Sequence, residues 1–112
     1  MAGYARPMKR ANIKPREKDR RALLDLISIG PATVRVFESL GIHSVGVLAR
    51  RNPERLFEKL CHLIGERENV CVLDAFSAAV AQARNPRLPA EQCQWWYWSR
   101  KRLAREKRRQ GK

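Results

Sequence analysis

The stretch LISIGPAT, residues 26–33, decides the fold of this 112-residue chain. It has the pattern of an apolar helix end, a tight turn and the start of a second helix. Pro31 fits the first position of that second helix, where the N–H group that proline lacks would have no partner anyway. Ile29, between Ser28 and Gly30, is predicted to pack inward and fix the turn. The sequence therefore predicts two helices joined by a short hairpin.

This hairpin resembles the helix-hairpin-helix motif, in which backbone N–H groups at a helix N-terminus hold a phosphate oxygen without reading a base. The match is partial, because the motif usually has a glycine where Ser28 stands and often a basic residue where Ala32 stands. Ser28 can still donate its hydroxyl. The phosphate contacts expected here are Ser28, Gly30, Thr33 and Arg35. The alternative is a packing corner that only joins two helices or docks another protein.

Apolar residues at helical spacing predict five helices, and no segment alternates as a strand would. The helices are expected at about 18–27, 31–40, 44–48, 53–64 and 69–84. Asn52 and Ser44 are predicted N-caps, and Gly41 and Gly65 are predicted to end helices. The helix over 69–84 is apolar nearly all round, which is typical of a central, buried helix.

The predicted fold class is all-α: a compact five-helix helix-hairpin-helix domain of the SAM-like type with basic terminal extensions. We expect a flexible basic arm over residues 1–16, the domain over 17–98 and a basic C-terminal tail over 99–112. Four aromatic residues at 95–98 cannot all lie on one helix face. We expect Trp95 and Trp98 to cap the core, with the alternative that exposed rings stack on unpaired bases.

Charge is distributed very unevenly along the chain. The net charge is +13, with 24 basic residues against 11 acidic ones. Residues 1–21 have a net charge of +6 and residues 99–112 of +7, so residues 22–98 are neutral in sum. Two basic ends on a neutral core favour a polyanionic partner, because such a partner relieves the repulsion between like charges. Arg100, Lys101, Arg102 and Arg105 are the candidate phosphate contacts of the C-terminal end, and acidic membrane lipid is the less favoured partner.

The remaining polar residues give no pattern of an active site or a metal centre. Cys61, Cys71 and Cys93 form no CxxC pair, and Cys61 and His62 point about 100° apart on a helix, so no metal is expected. Asp74 falls on the buried helix, where pairing with an arginine or a helix end is the simplest interpretation. No candidate nucleophile is paired with a candidate general base. We expect no catalytic residue, no cofactor, no membrane span and no secretion signal, and hence a cytoplasmic protein that is not an enzyme.

Several segments in order resemble a known bacterial family. They are LISIGP at 26–31, LGIHSV at 40–45, NPERL at 52–56, LC at 60–61, CVLDAF at 71–76 and WW at 95–96. The pattern is similar to the small helix-hairpin-helix family labelled "pathogenicity locus", some of whose members carry the name mitomycin-resistance protein. The resemblance covers roughly residues 20–99 and implies DNA association. The two basic extensions lie largely outside it.

Together these features predict sequence-independent nucleic-acid binding, with DNA favoured over RNA, through hairpin phosphate contacts and basic arms. The alternative is a protein-interaction adaptor, or an accessory subunit for a DNA repair or transcription factor.

Overall fold

A computed structural model of the chain describes residues 21–110. The predicted arm over residues 1–16 lies outside this range. The described part is helical with no strand, which confirms the all-α class. Its α-helices are α1 (Pro31–Ser39), α2 (Val45–Ala49), α3 (Pro53–Ile64), α4 (Val70–Arg84) and α5 (Trp95–Gln110), and its 3-10 helices are Leu23–Asp25 and Ala90–Cys93. No helix in this range is long and apolar enough to cross a membrane.

Helix α4 is the centre of the fold, as its apolar sequence predicts. It packs against α2, α3 and α5, and its residues Phe76 and Val80 are each only 1% exposed. The Phe37 ring of α1 lies 5.4 Å from the Phe76 ring, centroid to centroid. Burying large aromatic and aliphatic side chains stabilises a small domain by about 1.5–3 kcal/mol for each side chain. Helix α4 therefore holds the other helices in place.

The helix ends lie where the sequence predicts them. The Val47 N–H donates to Ser44 Oγ at 3.2 Å, and the Arg55 N–H donates to Asn52 Oδ1 at 3.1 Å. Gly65, with φ of 80°, ends α3 in the left-handed conformation that glycine adopts without strain. Gly41, with φ of 83°, makes the same kind of turn after α1. Short-range capping signals were therefore sufficient to place these boundaries.

The predicted helix over residues 18–27 is wrong for its described part. The chain instead forms a single 3-10 turn, Leu23–Asp25, and is extended again at Leu26. Leu23 and Leu26, three residues apart, are both buried, whereas Leu24 and Ile27 are 54% and 44% exposed. One 3-10 turn is enough to bury two leucines at this spacing, so the apolar pattern did not require a longer helix.

The C-terminal segment forms a long helix. Helix α5 runs from Trp95 to Gln110 without a break, so the predicted boundary between residues 98 and 99 falls inside it. None of its residues is fully buried. It packs against α4 and against the 3-10 helix Ala90–Cys93 that precedes it. The basic residues of the C-terminus therefore have a fixed helical spacing as far as Gln110.

Candidate nucleic-acid interface

The hairpin turn places Ser28 in a strained backbone conformation. Its φ is 69°, which makes it the single non-glycine residue with positive φ in the described range. This is the position at which the helix-hairpin-helix motif usually has a glycine. The Ser28 hydroxyl donates to Gln94 Oε1 at 2.8 Å, so it is already engaged within the fold. Gly30 is the N-cap of α1, and Pro31 follows at the first helical position.

Gln82 of α4 holds the turn against the core. The Ile27 N–H donates to Gln82 Oε1 at 2.7 Å, and Gln82 Nε2 donates to the Ile27 carbonyl at 3.3 Å. Gln82 is only 6% exposed, so its amide satisfies both backbone groups of Ile27 from within the core. Gln82 was not predicted from the sequence. The available signal was a side-chain amide on a helix whose other residues are mostly apolar.

The first turn of α1 faces an apolar groove of about 340 Å³. Thr33 lies on this groove and is half-buried, whereas Arg35 is exposed. Trp95, the first residue of α5, lines the same groove from the other side. The structure therefore brings Ser28 and Thr33 to the start of α5, and Arg35 lies apart on the surface of α1.

Arg102, one of the predicted phosphate contacts, forms an ion pair with Asp74 of α4. Arg102 Nε and Nη2 each donate to one Asp74 carboxylate oxygen at 3.0 Å. The side chains are 13% and 2% exposed, respectively. The hydrogen bonds that Arg102 donates to Asp74 raise the pKa of Arg102 above its ordinary value. The expected pairing of Asp74 with an arginine is confirmed, and the Arg102 guanidinium fastens α5 to α4.

The other basic residues of α5 are exposed. They are Arg100, Lys101, Arg105, Lys107, Arg108 and Arg109. Lys101, Arg105 and Arg109 are spaced four residues apart, which places them in one row along the helix. No carboxylate within residues 21–110 pairs with any of these three. Arg100 forms a surface ion pair with Glu91 at 3.6 Å. The row Lys101–Arg105–Arg109 is hereafter called the α5 stripe.

The aromatic residues of α5 are placed differently from the expectation. Trp95 is 44% exposed and does not cap the core. Trp98 is half-buried, and its Nε1 donates to the Gln92 carbonyl at 2.8 Å. The Arg100 guanidinium lies 4.8 Å from the centroid of the Trp96 ring, one helical turn away. A cation over a ring face is attracted by the ring quadrupole, so this contact supports α5 at its first turn.

The three cysteines do not lie together in a common site. Cys61 and Cys93 are buried and Cys71 is exposed. Burial raises the pKa of the Cys93 thiol, which disfavours the thiolate that metal binding requires. Within residues 21–110 no three histidine, cysteine or acidic side chains gather in a metal-binding cluster.

Comparisons with known proteins give the family. Residues 16–104 match the family described as "Cdd1: Pathogenicity locus". The chain is also 37% identical over 83 residues to the protein named "Mitomycin resistance protein McrB" of Streptomyces lavendulae, an alignment that covers 72% of this chain and 75% of the relative. No solved structure gives a significant match. The chain therefore belongs to the pathogenicity locus family.

Proposed function

We propose that this member of the pathogenicity locus family is a non-enzymatic protein that binds the phosphate backbone of nucleic acid, DNA in preference to RNA, without reading base sequence. One observation carries the proposal: α5 presents six exposed basic residues, and the α5 stripe has no acidic partner in the described part of the chain. The single acid of α5, Glu106, lies 3.4 Å from Arg102. The positive charge of the α5 stripe is therefore available to a ligand.

The spacing of the α5 stripe suits a regular polyanion. Four residues of α-helix rise about 6 Å, so the stripe spans about 12 Å. One DNA strand carries a phosphate for every ~3.4 Å of helix axis, so the stripe covers the rise of three to four phosphates. Like charges at this spacing also destabilise an isolated helix. A bound phosphate backbone removes that cost and releases counterions.

The hairpin adds a second contact in this proposal, in the manner of a helix-hairpin-helix motif. The Ala32 and Thr33 N–H groups lie in the first turn of α1 and have no intrahelical acceptor. The helix dipole makes this end positive. Arg35 is exposed on the same helix. Ser28 supports the turn through Gln94, and a side chain at position 30 would start with no atom within 4 Å of its Cβ.

Gly30→Asp tests the hairpin contact. The φ of Gly30 is −104°, which any residue can adopt, so we expect the variant to fold. An aspartate at an N-cap accepts the N–H groups of the next turn and adds a negative charge there. We expect unchanged or slightly raised stability and roughly tenfold weaker DNA binding, measured by fluorescence anisotropy. Gly30→Ala is the control, and binding by the aspartate variant equal to that of Gly30→Ala would contradict a hairpin contact.

The α5 stripe is tested by replacing Arg105 and Arg109 with glutamine. Glutamine is a good helix former, so the helix should persist. We expect the dissociation constant for a mixed-sequence DNA duplex to rise about tenfold or more at 0.1 M salt, and the slope of log K against log salt to flatten by about 2. Circular dichroism checks that the variant keeps its helix content.

A charge-matched control separates the stripe from net charge. Arg67 and Arg87 are exposed and lie outside α5, so Arg67→Gln/Arg87→Gln lowers the net charge by the same two units. We expect this control to bind within about twofold of the unaltered chain, since it removes no phosphate contact. Equal losses of DNA affinity in the stripe variant and in this control would contradict a localised interface. A chain that binds no nucleic acid at all would favour the protein-adaptor alternative.

A further inference from the structure

A second basic surface lies away from α5, where α2 ends and α3 begins. An open groove of about 550 Å³ is lined there by Arg50, Arg51, Asn52, Arg55, Leu56 and Lys59. Four of its six lining residues are therefore cationic, and none is acidic. These four are half of the eight basic residues within the neutral stretch 22–98. We call this feature the α2–α3 groove.

The charges of α3 are segregated by face. Arg55 and Lys59, four residues apart, line the groove. Glu54 lines a different cavity, beneath α5. Glu58 pairs with Arg67 at 3.3 Å. Within residues 21–110 no ion pair neutralises Arg50, Arg51, Arg55 or Lys59, so no carboxylate of this range compensates the positive charge of the groove.

This arrangement does not favour the stability of α3. Arg55 and Lys59 repel each other at their i,i+4 spacing. Arg55 also lies in the first turn of α3, two residues after Pro53, where the helix dipole already presents positive charge. An acidic residue at this position would stabilise the helix. The basic residues of the groove are therefore better explained by an anionic ligand than by folding.

The α2–α3 groove is connected to α5 through α4. Arg84, near the end of α4, donates to the carbonyls of Ala49 and Arg51 at 2.8 and 3.1 Å. Arg84 also lines the cavity beneath α5, together with Lys101 and Arg105 of the α5 stripe. The end of α2 and the middle of α5 are thus both attached to one helix, α4.

We propose that the α2–α3 groove is a second phosphate-backbone site of the same nucleic-acid ligand, distinct from both the hairpin and the α5 stripe. This inference rests on the proposed function. The open shape favours an extended backbone over a single buried anion, because all four cationic side chains remain solvent-accessible along the groove.

The test is the variant Arg55→Gln/Lys59→Gln in the full chain, with a mixed-sequence DNA duplex as the probe. We expect the dissociation constant to rise about tenfold at 0.1 M salt and the slope of log K against log salt to flatten by about 2, since two phosphate contacts are lost. Arg67→Gln/Arg87→Gln again serves as the charge-matched control and is expected to stay within about twofold of the unaltered chain.

Arg55→Glu separates binding from folding. A glutamate three residues after the N-cap Asn52 favours the start of α3, so the melting temperature is expected to stay the same or to rise. Binding is nevertheless expected to weaken more than in Arg55→Gln, because the charge is reversed. Weaker binding by a chain that is at least as stable supports the groove as a contact site.

Three outcomes test the groove inference and the proposed function separately. Loss of affinity in the groove variants beyond that of the control supports the inference. If Arg105→Gln/Arg109→Gln weakens binding while the groove variants match the control, the groove inference is overturned and the proposed function stands. If the unaltered chain does not bind the duplex at low salt, both are overturned.

Discussion

Replacing Arg102 with methionine is expected to lower the free energy of unfolding by about 3–5 kcal/mol. The Asp74 carboxylate is 2% exposed, and both of its oxygens accept from Arg102 at 3.0 Å. Methionine has a similar length but no charge. The variant therefore leaves a carboxylate inside the fold without a partner, which is the costly way to break a buried ion pair. Urea denaturation at pH 7 measures the change.

The loss of stability should depend on which partner of the Arg102–Asp74 ion pair is removed. Asp74→Asn is expected to cost less, about 1–3 kcal/mol, since Arg102 is 13% exposed and keeps Glu106 as a neighbour at 3.4 Å. Asp74→Leu/Arg102→Met should recover most of the loss, because apolar side chains of similar volume replace a buried pair well.

Two results would contradict this account of α5. One is an Arg102→Met variant within about 1 kcal/mol of the unaltered chain, which would mean that the pair adds little beyond a surface contact. The other is a double variant as unstable as the single one. Either result would also weaken the view that α5 is held in a fixed register against α4, on which the position of the α5 stripe relative to the rest of the fold depends.

The sequence was sufficient to predict the helices from Pro31 to Arg84, and the reasons are local. Each of α2, α3 and α4 begins after a residue that accepts a backbone N–H, namely Ser44, Asn52 and Asn69. Phe57 in α3 and Phe76 in α4 each lie at helical spacing from other apolar residues of the same helix. Both are buried. Capping and apolar periodicity are short-range signals, so they need no knowledge of tertiary structure.

The extent of α5 could not be predicted from periodicity, because residues 99–110 contain almost no apolar residues. The segment consists mainly of arginine, lysine, glutamate, leucine, alanine and glutamine, all of which favour a helix. That propensity was the missed signal. The pairing of Arg102 with Asp74 joins residues 28 positions apart, and nothing local distinguishes Arg102 from its basic neighbours.

The local positive charge of the α2–α3 groove is not apparent when charge is summed over a long stretch of sequence. Residues 22–98 are neutral in sum, and this sum concealed the local run of Arg51, Arg55 and Lys59 at four-residue spacing. A helical projection of α3 would have placed Arg55 and Lys59 on one face and Glu54 and Glu58 on another. The contribution of Arg50 and Arg51 required the structure, because they precede α3 and reach the groove only through the turn after α2.

Raising the salt concentration from 50 to 200 mM is expected to weaken binding of the chain to a DNA duplex about 10³-fold. The expectation follows from about six phosphate contacts, each of which contributes about 0.9 to the slope of log K against log salt. The six exposed basic residues of α5 are sufficient to provide this number. The same slope is expected for duplexes of unrelated sequence, because phosphate contacts carry no base information.

The salt titration of the full chain against two unrelated DNA duplexes is the most direct test of backbone binding. We expect a slope of log K against log salt of about −5 or steeper and equal affinities for the two sequences. Affinity that stays constant between 50 and 200 mM salt, or a large preference for one duplex at all salt concentrations, would contradict it.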